Sequence, residues 1–362
     1  SILISIDNNY QSCLVAPTEI LAFQHFKNFK DKFENLGLVV KVLTGSTKSS
    51  DRKILLNDLK NGSINLLIGT HAIFEQNVIF NNLGYAVIDE QHRFGVKQRS
   101  KIWEKNNPPP HVLIMTATPI PRTLTMSLYG DLDLSIIDEL PPGRKDVITV
   151  HRKDKNRLKV FGFIRDQIKQ GRQIYIVYPL IEESKKMDLK YLEDGLESIT
   201  REFDKENYSI GVMHGRMRSS NKDIEMNNFL NGKIDILIST TVIEVGVNVP
   251  NASVMIIENA ERFGLSQLHQ LRGRVGRGKY DSYCVLMTND KISEDAKIRI
   301  DAMVNSNDGF KISEVDLRLR GPGDVLGTKQ SGVLDFKIAD IIEDESILFS
   351  VSNEADLLIK KD

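Results

Sequence analysis

Short apolar runs rich in β-branched residues, separated by longer stretches of helical periodicity, occur twice along this chain and constrain its fold more than any other feature. In the first half the runs are 13–16, 39–43, 65–68, 85–88 and 112–115; in the second they are 174–177, 210–213, 236–238, 254–257 and 283–287. Runs that are apolar throughout, rather than alternating, belong to parallel strands covered on both faces, and parallel strands need crossover connections. The expected fold class is therefore α/β, with two parallel-sheet lobes in tandem that share one architecture. Between the first two runs Phe23, Phe26, Phe29, Phe33 and Leu36 recur every three or four residues as one apolar stripe, with Gly37 where a helix end favours a left-handed residue. Asn231-Gly232 closes a helix in the second half. Pro141-Pro142-Gly143 suits neither a helix nor a central strand, so the lobe boundary is expected there, giving units at 1–143 and 144–290. Beyond these the alternation fades into a helical stretch at 294–304, a glycine-punctuated charged segment at 316–332 and a polar tail, grouped as an appendage at 291–362.

A length of 362 residues exceeds one ordinary core and suits two or three domains. The 48 Lys and Arg against 49 Asp and Glu leave a net charge of -1, so any nucleic-acid surface must be a local basic patch. Cys13 and Cys284, the only cysteines, lie far apart inside apolar runs. That excludes a disulfide framework and predicts two core residues in a reducing, cytoplasmic setting. No apolar run approaches bilayer length and residues 1–7 do not read as a leader, so no membrane partner is expected.

Three segments carry chemistry. The run Tyr85-Ala-Val-Ile-Asp-Glu-Gln-His92 ends a buried strand in two adjacent carboxylates. In open α/β sheets ligands bind at the carboxyl ends of strands. There Asp89 suits a Mg²⁺ ion and Glu90 an attacking water in nucleotide hydrolysis, although the same pair also suits an exposed acidic turn. One strand later, Met115-Thr-Ala-Thr-Pro119 gathers small hydroxyl residues at a strand end. In the second half, Gln267-Leu-His-Gln-Leu-Arg-Gly-Arg-Val-Gly-Arg-Gly278 crowds Arg272, Arg274 and Arg277 between glycines, charge aimed at one place rather than packed in a core. Such guanidiniums stabilise a transferring phosphoryl group or, equally well at this stage, form a patch for phosphate backbones.

In order, these segments resemble the motor motifs of superfamily 2 helicases, and among them the RecG family of branched-DNA helicases. The resemblance runs through Ala16-Pro-Thr-Glu19, Gly69-Thr-His-Ala-Ile-Phe74, Asp89-Glu-Gln-His-Arg-Phe-Gly-Val96, Thr116-Ala-Thr-Pro-Ile-Pro-Arg-Thr123 and Asp138-Glu-Leu-Pro-Pro-Gly-Arg144. It continues through His214-Gly-Arg-Met217, Thr240-Thr-Val-Ile-Glu-Val-Gly246, 267–278 and Arg320-Gly-Pro-Gly-Asp-Val-Leu-Gly-Thr328. Nine ordered matches over nearly the whole chain are far more specific than any one of them. The resemblance implies two tandem RecA-like lobes, the first truncated at its start, that use ATP and Mg²⁺ to translocate on branched or forked DNA as a monomer. It implies Asp89 and Glu90 as the metal-binding and water-activating acids, with Gly246, Gln270, Arg274 and Arg277 reaching the nucleotide across a cleft from the second lobe. His92, Thr116, Ala117 and Thr118 would relay nucleotide state. Thr18, Thr70, His71, His214, Arg216, Thr240 and Thr241 would meet the DNA backbone, which hydroxyls and amides bind without reading sequence. Arg320 and Gln330 would couple motor closure to DNA movement.

Three departures qualify the resemblance. No phosphate loop precedes the first strand; the one Gly-x4-Gly-Lys match, 273–279, is followed by Tyr280 where Ser or Thr is needed and lies inside the arginine motif. Asn248 stands where many relatives carry Asp, and no N-terminal wedge domain is present. The 362 residues alone are therefore expected to bind ATP poorly and barely hydrolyse it, within a parent helicase that remodels stalled forks and recombination junctions. Two other readings remain: the motor of a transcription-repair coupling factor, and a docking module that kept the fold without hydrolysis. A module selected only for docking has no use for opposed acids and arginines.

Overall fold

The computed structural model describes residues 1–91, 94–95, 98, 100–117, 133, 135–137, 139, 141, 144–179, 195–204, 206–240, 249–320 and 344–359. These divide into two compact units, one of the described residues through Ala117 and one of those from Asp133 onward. Most of 118–143, including Pro142 and Gly143 of the expected boundary, lies outside the described residues.

The first unit runs α1 (Ile2–Asp7), β1 (Gln11–Val15), α2 (Glu19–Phe33), β2 (Val40–Leu43), α3 (Ser49–Lys60), β3 (Leu66–Gly69), β4 (Leu83–Ile88) and β5 (His111–Ile114). Its five strands form one parallel sheet in the order β2-β3-β1-β4-β5. Alternate strand residues feed the two faces. Leu14, Leu66, Ile68 and Val87 pack under α1 and α2, while Cys13, Val15, Leu67, Ala86 and Ile88 pack under α3 and the segment after β3. Cys13 is fully buried and its thiol is pushed up to about 12, by burial against a smaller opposing effect of Lys105. It is a core residue, as expected.

The aromatic stripe of α2 is offset from the expected one. Phe26, Phe29 and Phe33 pack against the sheet with Leu21 and Ala22, but Phe23 is 47% exposed and Leu36, already in a 3-10 turn, is 59% exposed. The inward face is 22-26-29-33, and Phe23 falls one residue, about 100°, off it. Gly37 ends the element in the left-handed region at φ 69°.

The second unit runs β6 (Val147–Lys153), α4 (Arg157–Lys169), β7 (Gln173–Tyr178), β8 (Ile210–Met213), α5 (Ser219–Leu230), β9 (Ile236–Thr240), β10 (Ala252–Ile257), α6 (Leu265–Arg272), β11 (Ser282–Thr288), α7 (Glu294–Asn305), α8 (Gly309–Arg320) and α9 (Glu345–Ile359). Its parallel sheet has the order β6-β11-β10-β7-β9-β8. Without β6, this is the order of the first sheet: β7 stands for β1, β8 and β9 for β2 and β3, β10 and β11 for β4 and β5. The two lobes share one architecture.

The correspondence extends to single hydrogen bonds. Gln11 Nε2 donates to the carbonyls of Leu59 (3.0 Å) and Ile64 (2.8 Å), tying the start of β1 to the turn after α3. Gln173 Nε2 donates to Phe229 (2.6 Å) and Ile234 (2.8 Å) at the matching places after α5. Asn65 Oδ1 accepts from the Val39 amide, and Asp235 Oδ2 accepts from the Ser209 amide in the same way. Both turns reverse on a left-handed glycine, Gly62 at φ 80° and Gly232 at φ 71°.

All ten expected strands are present, with ends that shift by no more than two residues. The eleventh, β6, was not expected from sequence. Its Val-Ile-Thr-Val-His-Arg-Lys is polar at one end and mostly half-exposed, because an edge strand lacks the two covered sides that make a continuous apolar run. Residues 316–320 are helical, closing α8. The tail, expected to be polar, contains α9 with Ile347, Val351, Leu357, Leu358 and Ile359 exposed.

Candidate functional site

In the first unit β4 is apolar to its last residue and releases the acids at the carboxyl edge of the sheet. The Asp89 amide donates to Val15 O (2.9 Å), and the Met115 amide donates to Ile88 O (2.8 Å), so strand pairing continues on both sides of the exit. Glu90 adopts a left-handed backbone at φ 50°. For a residue with a Cβ that conformation costs about 1–2 kcal/mol and is held only where the surroundings impose it. Here the Ala117 amide donates to Glu90 Oε2 (3.3 Å) and the Gln91 amide to Met115 O (3.1 Å). Ala117, with its exposed neighbour Thr116, thus lies directly beside the acids.

Asp89 has a partner that the sequence did not single out: His25 Nε2 donates to Asp89 Oδ2 at 3.1 Å. Among the described residues no three His, Cys, Asp or Glu side chains converge as a metal cage. That donor set fits Mg²⁺, which is characteristically held by one or two carboxylates together with substrate phosphates.

Small hydroxyls line the same carboxyl edge. Thr18 caps α2, its Oγ1 accepting from the Leu21 amide (3.4 Å), which leaves its own proton to donate. Thr70 follows β3, is 2% exposed, and its Oγ1 has no partner among the described residues; His71 beside it is exposed. After β2, Thr44 Oγ1 lies 3.0 Å from Ser46 Oγ, and Glu19 anchors the loop by accepting from the Ser46 amide (3.0 Å) and hydroxyl (2.7 Å). Sequence reading missed Thr44 and Ser46, whose only signal was their place after a strand.

The second unit repeats this edge. His214 follows β8 as Thr44 follows β2, and Thr240 ends β9 where Thr70 follows β3. Thr240 is 3% exposed, and neither its Oγ1 nor His214 Nδ1 has a partner among the described residues. Burial, then the charges of Lys222 and Arg216, holds His214 below the usual imidazole range, so the ring is neutral beside a cationic edge.

The three arginines at the end of α6 and just beyond it separate into two roles. Arg272 turns into the unit and is 3% exposed, donating to Met303 O (2.9 Å), Ser306 O (2.7 Å) and His269 Nδ1 (3.1 Å). It satisfies the carbonyl end of α7 and is structural, contrary to the expectation that all three aim at one place. Arg277 donates from Nε to Gly273 O (3.1 Å). Burial first, then Arg274 and Arg144, pushes its guanidinium down to about 10. A desolvated cation among like charges is a marker of an anion site. The glycines permit this path: Gly276 is left-handed at φ 78°, and a Cβ on Gly278 would lie 2.3 Å from Pro250 O. Gln270 lies on α6, half-buried. His92, Thr118, Thr241, Gly246, Asn248 and Gln330 lie outside the described residues, and of Arg320 only the backbone, at the end of α8, is described.

Three family models match the chain: DEAD/DEAH box helicase over residues 1–127, helicase conserved C-terminal domain over 156–279, and ATP-dependent DNA helicase RecG, domain 3, C-terminal, over 306–362. The ATP-dependent DNA helicase RecG of a Synechocystis species is 51% identical over the whole chain, which spans 43% of that relative. RecG of Bacillus subtilis is 48% identical over 99% of the chain and 52% of its own length. The chain thus spans about half the length of the curated relatives it matches. A solved structure of RecG bound to a three-way DNA junction is 43% identical, with a TM-score of 0.74 over 94% of this chain and 43% of that one. The helicase Lhr of Mycobacterium smegmatis, at 17% identity and a TM-score of 0.60, shares the fold. On residues, sheet order and these likenesses together, the chain belongs to the RecG family of superfamily 2 helicases.

Proposed function

We propose that this chain carries the motor of an ATP-dependent DNA helicase that translocates on branched or forked DNA and so remodels stalled forks and recombination junctions. The carrying observation is the exit of β4, where Asp89 and a conformationally forced Glu90 emerge together with Ala117 at the carboxyl edge of a parallel sheet. In this reading Asp89 receives Mg²⁺, which supplies charge neutralisation for the triphosphate when bound, and Glu90 orients and deprotonates the attacking water. Gln270, Arg274 and Arg277, with Gly246, serve the phosphates from the second unit, and the buried like charges around Arg277 give that unit its need for an anion.

Thr18, Thr70, His71, His214, Arg216, Thr240 and Thr241 bind backbone phosphates. The orphaned hydroxyls of Thr70 and Thr240 support this, because a buried hydroxyl without a partner is costly unless a ligand supplies one. Such contacts carry no sequence information and suit movement along DNA. His92, Thr116, Ala117 and Thr118 relay nucleotide state, and Arg320 and Gln330 couple it to DNA movement. The units of this reading are 1–143, 144–290 and a coupling appendage at 291–362, acting as a cytoplasmic monomer.

The test is steady-state ATPase and branched-DNA binding by the full-length protein. Asp89→Asn and Arg277→Glu are each expected to lower DNA-stimulated turnover by at least roughly 100-fold while DNA affinity changes less than about threefold. Equal loss of turnover and DNA affinity in Arg277→Glu would move that arginine to the DNA surface; undiminished turnover in Asp89→Asn would refute the nucleotide site.

A further inference from the structure

The hydrogen bond between His25 and Asp89 joins two parts of the first unit that the proposed function treats separately. Asp89 leaves β4, whereas His25 lies in the second turn of α2, whose N-cap is Thr18. Seven residues separate Thr18 from His25, which is close to two helical turns, so the two lie along one face of α2 roughly 10 Å apart. The helix is anchored to the sheet on both sides of His25, by Leu21 and Ala22 before it and Phe26 and Phe29 after it. Among the described residues no other side chain holds the carboxylate: the Asp89 amide is held by Val15 O, while Oδ2 is held by the His25 ring. A carboxylate accepts and cannot donate when ionised, so Nε2 carries the proton in this contact.

We propose that His25 is a positioning residue for Asp89: by holding Oδ2 from α2, it fixes the carboxylate in one rotamer and ties it to the rigid helix whose N-cap meets DNA. The inference rests on the assignment of Asp89 to the metal nucleotide and of Thr18 to the DNA backbone. Carboxylates that receive metals depend on such outer hydrogen bonds for orientation, and removing one typically weakens metal binding by about tenfold or more. Because the bond originates on α2, a displacement of that helix at its N-cap moves the partner of Asp89 with it. DNA contact and metal-nucleotide binding then share one element, and each strengthens the other through a common positional cost.

The experiment compares the full-length protein with His25→Leu, His25→Gln and Asp89→Asn. Equilibrium binding of a fluorescent ATP analogue is titrated with Mg²⁺, with and without forked DNA, and ATPase KM and kcat are measured alongside. His25→Leu is expected to raise the Mg²⁺ concentration for half-maximal nucleotide binding by about tenfold, and to reduce the tightening produced by DNA to less than about twofold. His25→Gln, whose Nε2 donates at similar reach, is expected to return both to within about threefold of the parent. Unchanged Mg²⁺ dependence in His25→Leu overturns the proposal. So does an equal defect in the Leu and Gln variants, which would mean that ring packing rather than the donated proton matters. Should Asp89→Asn itself leave nucleotide binding and turnover unaltered, the nucleotide site is misassigned and the proposal falls with it. An Asp89→Asn defect beside a normal His25→Leu removes the positioning role alone.

Discussion

Arginine serves opposite ends within six residues of the second unit, and burial decides which. Arg272 is surrounded by acceptors, the carbonyls of Met303 and Ser306 and the His269 ring, whereas Arg277 is surrounded by Arg274 and Arg144. Removing the first leaves buried carbonyls unsatisfied. Arg272→Ala is therefore expected to lower unfolding free energy by about 2–4 kcal/mol in urea titrations, and Arg272→Lys to recover less than half of that, since a lysine cannot reproduce the fork. The His269 ring records the same environment. Burial first, then Arg272, pushes it down to about 4, and it accepts from Arg272, which demands a neutral Nδ1. The unfolded chain binds that proton near pH 6.5, the folded protein only near pH 4. The contribution is thus complete above pH 6.5 and lost progressively as pH falls towards 4, up to about 3 kcal/mol. Urea midpoints at pH 7.5 and 5.0 test this: His269→Gln, an acceptor that does not titrate, is expected to flatten the difference.

Among the elements, strands that carry an apolar run were legible, at the sheet edges as well as the centre, and β6, which carries none, was not. The central strands betrayed themselves as continuous apolar runs because helices cover each side, while β6, at an edge, carries Thr149, His151 and Arg152 and reads as loop. The α2 stripe was legible as a helix but not as a face, because five aromatic and aliphatic residues within fourteen positions allow more than one alignment. At the site, Asp89 and Glu90 stood out as acids after an apolar strand. His25 and the Arg157–Glu258 pair did not, since each joins residues distant in sequence that only the sheet order brings together. The paired latches of Gln11 and Gln173 belong here too: each satisfies two carbonyls at the end of a helix and the turn beyond. Gln11→Leu and Gln173→Leu are each expected to cost about 2–4 kcal/mol, and the double variant the sum within about 0.5 kcal/mol, because the latches share no partner. Hydrogen exchange resolved by peptide is the check: each single variant should lose protection in its own unit alone.

At the scale of the whole molecule, one strand order built twice puts a carboxylate at the same topological point in both units, and what surrounds it decides its use. Glu258 follows β10 as Asp89 follows β4, its amide donating to Val177 O as that of Asp89 donates to Val15 O. The next residue is left-handed in both, Glu90 at φ 50° and Asn259 at φ 49°. Yet Glu258 is 4% exposed and bound through both oxygens by Arg157 at 2.8 and 2.9 Å. Burial opposes the Arg157 charge, but the hydrogen bonds and charge of Glu258, aided by Asp154, outweigh it and hold the guanidinium above its ordinary range. A buried carboxylate whose two oxygens both face a guanidinium is a poor metal ligand, whereas Asp89 shares one oxygen with a single imidazole. The two acids should therefore respond oppositely to loss of charge. Glu258→Gln leaves a half-buried Arg157 with Asp154 as its one remaining carboxylate partner among the described residues and is expected to cost about 2 kcal/mol of unfolding free energy, with turnover per folded molecule of the full-length protein within about twofold of the parent. Asp89→Asn is expected to change stability by less than about 1 kcal/mol and to abolish turnover. Urea unfolding and ATPase on the same two preparations decide it; a Glu258→Gln protein that is stable but inactive would mean that the second carboxylate works in the reaction rather than in the fold.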